Sequence, residues 1–391
     1  MKRLKDFCWI VIDFGIYLTV KWIIPLIMFL LPVKKNKVVF FSYTGKGYGG
    51  NCRYIAEEIL RQKLPWDLVW LVNGQPAEMP EGIRKVPISA WKQTYELATA
   101  KVIVTNIKCC MDFVKKKNQY VIQTWHSSYP PKLIEKEAED KLAPDYVKAS
   151  KRNSHQTDLF LSNSALMTRL IQNAFWCESE IMECGFPRND IFFTATEEDC
   201  SRIRAALGVG TDTKLVLYAP TFRDDGSMDA YSLDCMAVLE KLRSRGEDWR
   251  LLTRLHPNLD DVKGLFPENE YIINATPYPD MQELLLVSDI LITDYSSTPP
   301  EFAIMGKQVY IYAPDVPQYQ ALRGLREDYF TSPYPVNTSN EQLLKQMDSY
   351  SAESAAQQAR AYMEFSGGMD EGDASKKVVE RMEAVISGRW K

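Results

Sequence analysis

The sequence predicts an α/β protein built from two doubly wound parallel-sheet units, and three observations support this. Short apolar runs of strand length alternate with helix-length segments from residue 38 onward. The alternation runs twice, once on each side of the stretch 185–207. With 391 residues and 46% hydrophobic content, the chain has apolar material for two cores.

In the first unit, residues 38–42, 68–72, 101–106, 120–124 and 158–162 read as strands, because each is a branched, apolar run suited to a sheet buried on both faces. Helices are expected over 52–62, 91–100, 132–142 and 165–175. The loop Gly45-Lys46-Gly47-Tyr48-Gly49-Gly50 has the G-x-G-x-x-G spacing between a strand and a helix. No acidic residue ends the second strand to hold a ribose, so the loop reads as a tight turn facing the cleft rather than a dinucleotide site, with phosphate contact by its N–H groups left open as an alternative. A helix over 197–207 bridges to the second unit. There 215–218, 250–255, 271–273, 290–293 and 309–312 read as strands, and 232–244, 281–287, 300–305 and 341–349 as helices. A last helix, 375–387, is expected to pack back on the first unit. The division is 1–37, 38–196, 197–365 and 366–391.

Residues 7–31 are almost wholly apolar, with Asp13 and Lys21 the only charges, and basic residues flank them: Lys2, Arg3 and Lys5 before, Lys34, Lys35 and Lys37 after. Such a segment reads as a helix lying in, or partly entering, the cytoplasmic leaflet, with Pro25 breaking or kinking it. A spanning anchor and a buried N-terminal helix are the alternatives. A cleaved signal peptide is not indicated, since no small-residue cleavage site precedes the Lys-rich flank. The formal net charge of −4 gives no global field for nucleic acid. The 8 cysteines, with Cys109-Cys110 adjacent, follow neither a disulfide nor a zinc spacing and suit a reducing cytosol.

The chemistry centres on residues 288–312, SDILITDYSSTPPEFAIMGKQVYIY. A buried strand, 290–293, ends in Asp294-Tyr295-Ser296-Ser297, and a Pro-led helix comes next. Hydroxyls and free N–H groups around a helix start suit a phosphate or diphosphate, and Glu301 is placed to reach a ribose. A simple helix cap by Ser297 is the alternative. Two of the three histidines, His126 and His256, also follow apolar strands, where doubly wound units bind ligands.

Ile292-Thr293-Asp294-Tyr295-Ser296-Ser297 resembles the signature of the CDP-glycerol glycerophosphotransferase family, the teichoic-acid primases and polymerases of bacterial cell walls. Four further stretches match in the same order: Thr124-Trp125-His126, Gly185-Phe186-Pro187-Arg188-Asn189-Asp190, Tyr218-Ala219-Pro220-Thr221-Phe222-Arg223-Asp224 and Arg254-Leu255-His256-Pro257. The resemblance implies a GT-B fold, two Rossmann-like units facing a cleft, and the N-terminal membrane-associating helix read above would precede them. It also implies attack by an acceptor hydroxyl on the polyol-bearing phosphorus of a CDP-polyol, expelling CMP. His126 would be the general base, and His256 would donate to the diphosphate and stabilise the leaving CMP. Ser296, Ser297, Glu301, Thr221, Arg223, Arg254, Arg323 and Lys132 would hold the donor without a metal or other cofactor.

CDP-glycerol is the first expectation for the donor and CDP-ribitol the second; the acceptor is a lipid-linked or polymeric wall or capsule glycan. The enzyme would then work on the cytoplasmic face of the membrane, as a monomer or an oligomer. A nucleotide-sugar glycosyltransferase and a catalytically silent membrane scaffold are the competing readings. Three departures from the family pattern stand out: Ser127 after the histidine, Pro130-Pro131 ahead of Lys132, and Pro299-Pro300-Glu301 in place of a hydrophobic-Asp pair.

Overall fold

Seven short strands make the first sheet: β1 (Lys37–Phe41), β2 (Asp67–Val72), β3 (Ile83–Pro87), β4 (Val102–Thr105), β5 (Tyr120–Gln123), β6 (Leu159–Ser162) and β7 (Glu180–Glu183). They lie in the order β3-β2-β1-β4-β5-β6-β7, every pair parallel. The second sheet has six strands, β8 (Lys214–Ala219), β9 (Trp249–Thr253), β10 (Ile272–Asn274), β11 (Ile290–Thr293), β12 (Gln308–Tyr312) and β13 (Val336–Asn337). Their order is β10-β9-β8-β11-β12-β13, again all parallel. This is a computed structural model, and it describes residues 23–74, 78–108, 113–255, 265–266 and 268–390.

Both sheets bury both faces, which is why their central strands are apolar without interruption. In β1, Val38 and Phe40 join one core while Val39 and Phe41 join the core on the opposite face. The same alternation splits β8, with Leu215 and Leu217 on one side and Val216 and Tyr218 on the other. The helix Ala374–Ile386 at the C-terminal end contributes Val378, Val379, Met382 and Val385 to the core of the first sheet.

Three strands have no counterpart in the sequence reading, and each is an edge strand. In β3, Arg84, Lys85 and Pro87 point to solvent, β7 begins and ends with an exposed glutamate, and β13 is two residues long. Short, charged edges resist further pairing and hide the apolar pattern by which a strand is recognised. The helix expected over 132–142 is not formed as such. Lys132 instead bridges antiparallel to Leu325, Leu133 N–H donates to the Gly324 carbonyl at 3.2 Å, and only the 3₁₀ turn Glu135–Lys141 comes after. Pro130 and Pro131 keep the chain extended here, and its backbone pairs with the second unit.

The described residues do not support the expected membrane-associating helix. Residues 1–22 of the 1–37 segment lie outside them, and the remainder holds the six-residue helix Ile24–Phe29, with a proline in its first turn. Among the described residues no helix is long and apolar enough to cross a membrane.

Candidate active site

In each sheet the chain reverses direction of growth at one point, between β1 and β4 and between β8 and β11. Loops leaving neighbouring strands diverge at such a point and open a crevice at the carboxyl ends. On the first sheet the crevice belongs to Ser42, Asn106 and His126. Asn106 Nδ2 donates to Ser42 Oγ at 2.9 Å, and its Oδ1 accepts from Tyr43 N–H at 3.0 Å. The Asn106 carbonyl lies 3.2 Å from His126 Nδ1. A carbonyl can only accept, so Nδ1 carries the proton and Nε2 keeps its lone pair free.

Trp125, the residue before the histidine, has φ +54°, a left-handed conformation that costs a non-glycine residue about 1–3 kcal/mol. Its surroundings enforce it. Asn51 Nδ2 donates to the carbonyls of Thr124 and Trp125 at 3.1 and 3.3 Å, Gln123 Oε1 accepts from Trp125 N–H at 2.9 Å, and the indole meets the Phe175 ring edge-on at 4.7 Å. The kink turns His126 out of the sheet direction, so that it remains accessible on the floor of the crevice although protein surrounds it on most sides. Lost hydration pushes the imidazole down to about 4; the Asn106 carbonyl opposes this, and the Arg188 and Lys132 charges add to it. His126 is therefore neutral near pH 7.

The crevice of the second sheet is built from ion pairs. Arg223 is buried, and each of its five N–H donors has a partner: Asp315 on Nε at 2.7 Å, the Thr221 carbonyl and hydroxyl on Nη1 at 2.8 Å, and Asp294 and Asp315 on Nη2 at 2.8 and 3.0 Å. Its guanidinium also sits 4.9 and 5.1 Å from the centroids of Tyr295 and Tyr319, which stack on each other. Asp294 Oδ1 accepts from Thr221 N–H at 2.9 Å. Arg223 and Thr221 thus brace the turn Asp294–Ser297, and the expectation that Arg223 offers its fork to a phosphate is corrected: it has no donor left to offer.

Two further residues are tied into the protein, Arg254 through one nitrogen and Glu301 through both oxygens. Arg254 turns its Nη1 to the carbonyls of Ala275, Thr276 and Tyr278, closing the loop after β10. Glu301 is 1% exposed; its Oε1 accepts from Ser128 Oγ at 2.8 Å and from Arg188 Nη2, and its Oε2 accepts from Gln282 Nε2 at 2.7 Å. With both oxygens engaged, it joins the two units instead of facing an open ribose site.

What remains open is smaller. Thr298, not Ser297, is the N-cap of the helix Pro299–Ile304, and it bonds to Ser296 Oγ through both N–H and hydroxyl, at 3.2 and 3.0 Å. The Ser297 hydroxyl makes no hydrogen bond among the described residues. Lys132 is half-buried, and its Nζ has no hydrogen bond or ion pair among those residues. Burial lowers its pKa and Arg323 adds to this, against the pull of Asp224 and Asp294. An unpaired ammonium in such a place favours an incoming anion. Arg323 is exposed and pairs with Asp224 at the rim. His256 lies outside the described residues.

Arg188, Asn51, Asn106, Ser128 and Asp315 complete the site, and the sequence reading assigned none of them a role. Arg188 stands inside a stretch already singled out, and Asn51 directly follows the glycine loop. Nothing local signals Asp315, which lies 92 positions from Arg223.

Two parallel-sheet units meeting at their loop ends, with a neutral imidazole on one side and a hydroxyl-bearing helix start beside a free ammonium on the other, define a two-unit transferase that uses an activated phosphate donor. The chain belongs to the CDP-Glycerol:Poly(glycerophosphate) glycerophosphotransferase family, whose model matches residues 23–384. It is 29% identical over 367 residues to the teichoic acid poly(glycerol phosphate) polymerase of Bacillus spizizenii, covering 90% of this chain and 93% of that protein. It is 27% identical over 386 residues to the teichoic acid glycerol-phosphate transferase of Staphylococcus aureus, covering 94% and 97%. Its fold superposes on the wall teichoic acid polymerase TagF with a TM-score of 0.81 at 27% identity, over 96% of each chain.

Proposed function

We propose that this chain transfers glycerol phosphate from CDP-glycerol to a hydroxyl of a wall or capsule glycan precursor and releases CMP. The observation that carries the reading is His126, neutral and accessible, on a loop that Arg188 and Ser128 link to Glu301 in the helix that comes after Ser296 and Ser297. His126 Nε2 takes the proton of the acceptor hydroxyl as the new O–P bond forms, and the P–O bond to CMP breaks. Ser296, Ser297 and Lys132 hold the diphosphate, and His256 stabilises the departing CMP. The fold on this reading is GT-B, divided at 38–196 and 197–365, with 366–391 returning to the first unit.

The protein would work at the cytoplasmic membrane face. Ile23, Leu26 and Leu30 are 49, 66 and 79% exposed just ahead of Lys34 and Lys35, which supports contact with an anionic lipid surface. CMP release from CDP-glycerol and CDP-ribitol, with membrane extract as acceptor, tests the reaction. CMP from CDP-glycerol supports it, CMP from CDP-ribitol alone changes the polyol, and no CMP from either donor returns the choice to a glycosyltransferase or a scaffold.

A further inference from the structure

Arg188 lies on the 3₁₀ turn Pro187–Asp190, buried at 5% exposure between the two units. Its backbone N–H donates to Asn51 Oδ1 at 3.1 Å, and Asn51 in turn holds the Thr124 and Trp125 carbonyls. Its Nη1 donates to the carbonyl of His126 at 2.7 Å. Its Nη2 donates to Glu301 Oε1, in the first turn of the helix that comes after Ser296 and Ser297. One planar group therefore touches the backbone of the proposed base and the element that carries the phosphate-facing turn.

A second contact runs alongside the first. Ser128, two residues after His126, donates its hydroxyl to the same Glu301 oxygen at 2.8 Å. Asn163 Nδ2 bonds to Ser128 Oγ at 3.2 Å and to Asp370 Oδ2 at 3.1 Å, tying the pin to the segment that leads into the C-terminal helix. Glu301 is thus held from the His126 loop and from the turn behind it.

We propose that Arg188 is a positioning residue for the transfer reaction: by spanning the His126 carbonyl and Glu301, it sets the distance and angle between the base and the donor phosphate. The inference rests on the transferase reading above. Arg188 does not take a proton or hold the donor; its planar fork fixes two loops that belong to different units. Lysine cannot do this, because a single ammonium on a flexible stem does not present two nitrogens in a fixed plane. A displacement of about 1 Å between reacting groups lowers the rate by about 100-fold while leaving the substrate bound.

The test compares wild type, R188K, E301Q, S128A and the double variant R188K/E301Q for steady-state CMP release from CDP-glycerol with membrane extract. R188K is expected to lower kcat by about 30- to 100-fold and to change the KM for CDP-glycerol by less than about 3-fold. The double variant should fall no more than about 3-fold below R188K, because both substitutions break one link. S128A removes the parallel pin without altering any charge, and should lower kcat several-fold at unchanged KM even where R188K folds poorly. In ¹⁵N spectra of the three imidazoles, the His126 signal should move in R188K.

A rise in KM at constant kcat, independent and multiplicative effects of R188K and E301Q, or wild-type kcat in R188K and S128A would each overturn the proposal. Absence of CMP from the wild type overturns the transferase reading instead. In that case the His126 resonance still tests the link: a shift in R188K supports it and no shift refutes it.

Discussion

The two crevices differ in how they are held. Around His126 the contacts are mostly backbone carbonyls, amide side chains and aromatic edges, and the functional ring keeps a free nitrogen. Around Asp294 the contacts are charge on charge, and each Arg223 donor is satisfied internally. A proton acceptor must remain neutral and unpaired at its working pH, so charges beside it are few and push its basicity down. A turn that receives a diphosphate needs rigidity, and a closed ion-pair network supplies this without competing for the ligand. Charge-bearing residues near a phosphate site are thus not automatically its ligands.

If that contrast holds, the variants separate by kind of damage. H126A should lower kcat for CMP release by about 100- to 10,000-fold with thermal stability unchanged. R223A should be read first in stability, because it leaves buried Asp294 and half-buried Asp315 without their partner at a cost of about 3–5 kcal/mol, seen as a fall in the denaturant midpoint. G324A tests the seam between the units. Gly324 has φ +72°, and an added Cβ would lie 2.7 Å from Leu133 Cδ1, so a loss of about 1–3 kcal/mol is expected. K132A should raise the KM for CDP-glycerol about 10-fold, an effect that shrinks with added salt. R323A, removing an exposed pair, should change stability by less than about 1 kcal/mol.

The histidine also sets a pH dependence. Its folded value of about 4 lies below the ordinary 6.5, so between those values the unfolded chain binds more protons than the native one. Its contribution to stability is therefore complete above about pH 6.5 and is lost as pH falls toward 4. Asp370, which burial raises to about 6, acts in the opposite sense over much of that range. The H126N variant isolates the first effect. Activity should persist below the ordinary histidine value, with the acid limb of kcat/KM displaced downward.

Much of the fold was legible because the central strands of both sheets are uninterrupted apolar runs; β11, Ile290–Thr293, and the helix Met281–Val287 coincide with the spans read from sequence. The edge strands β3, β7 and β13 were not legible, since solvent dictates the composition of such strands, whereas the edge strand β10, Ile272–Asn274, was read within one residue. His126 and Ser297 became candidates because each comes within a few residues after an apolar strand, β5 and β11. The partners of Arg223 and Glu301 did not, because which oxygens occupy an arginine fork, or which groups reach a buried carboxylate, is decided by tertiary neighbours up to 173 positions apart.

The division of labour between the crevices is tested most directly by calorimetric titration of CDP-glycerol into H126A, measured beside CMP release by the same preparation. The account predicts wild-type donor affinity and turnover at least about 100-fold slower. Donor affinity lost in step with turnover would place the imidazole in the binding site, and undiminished CMP release would remove it from the chemistry.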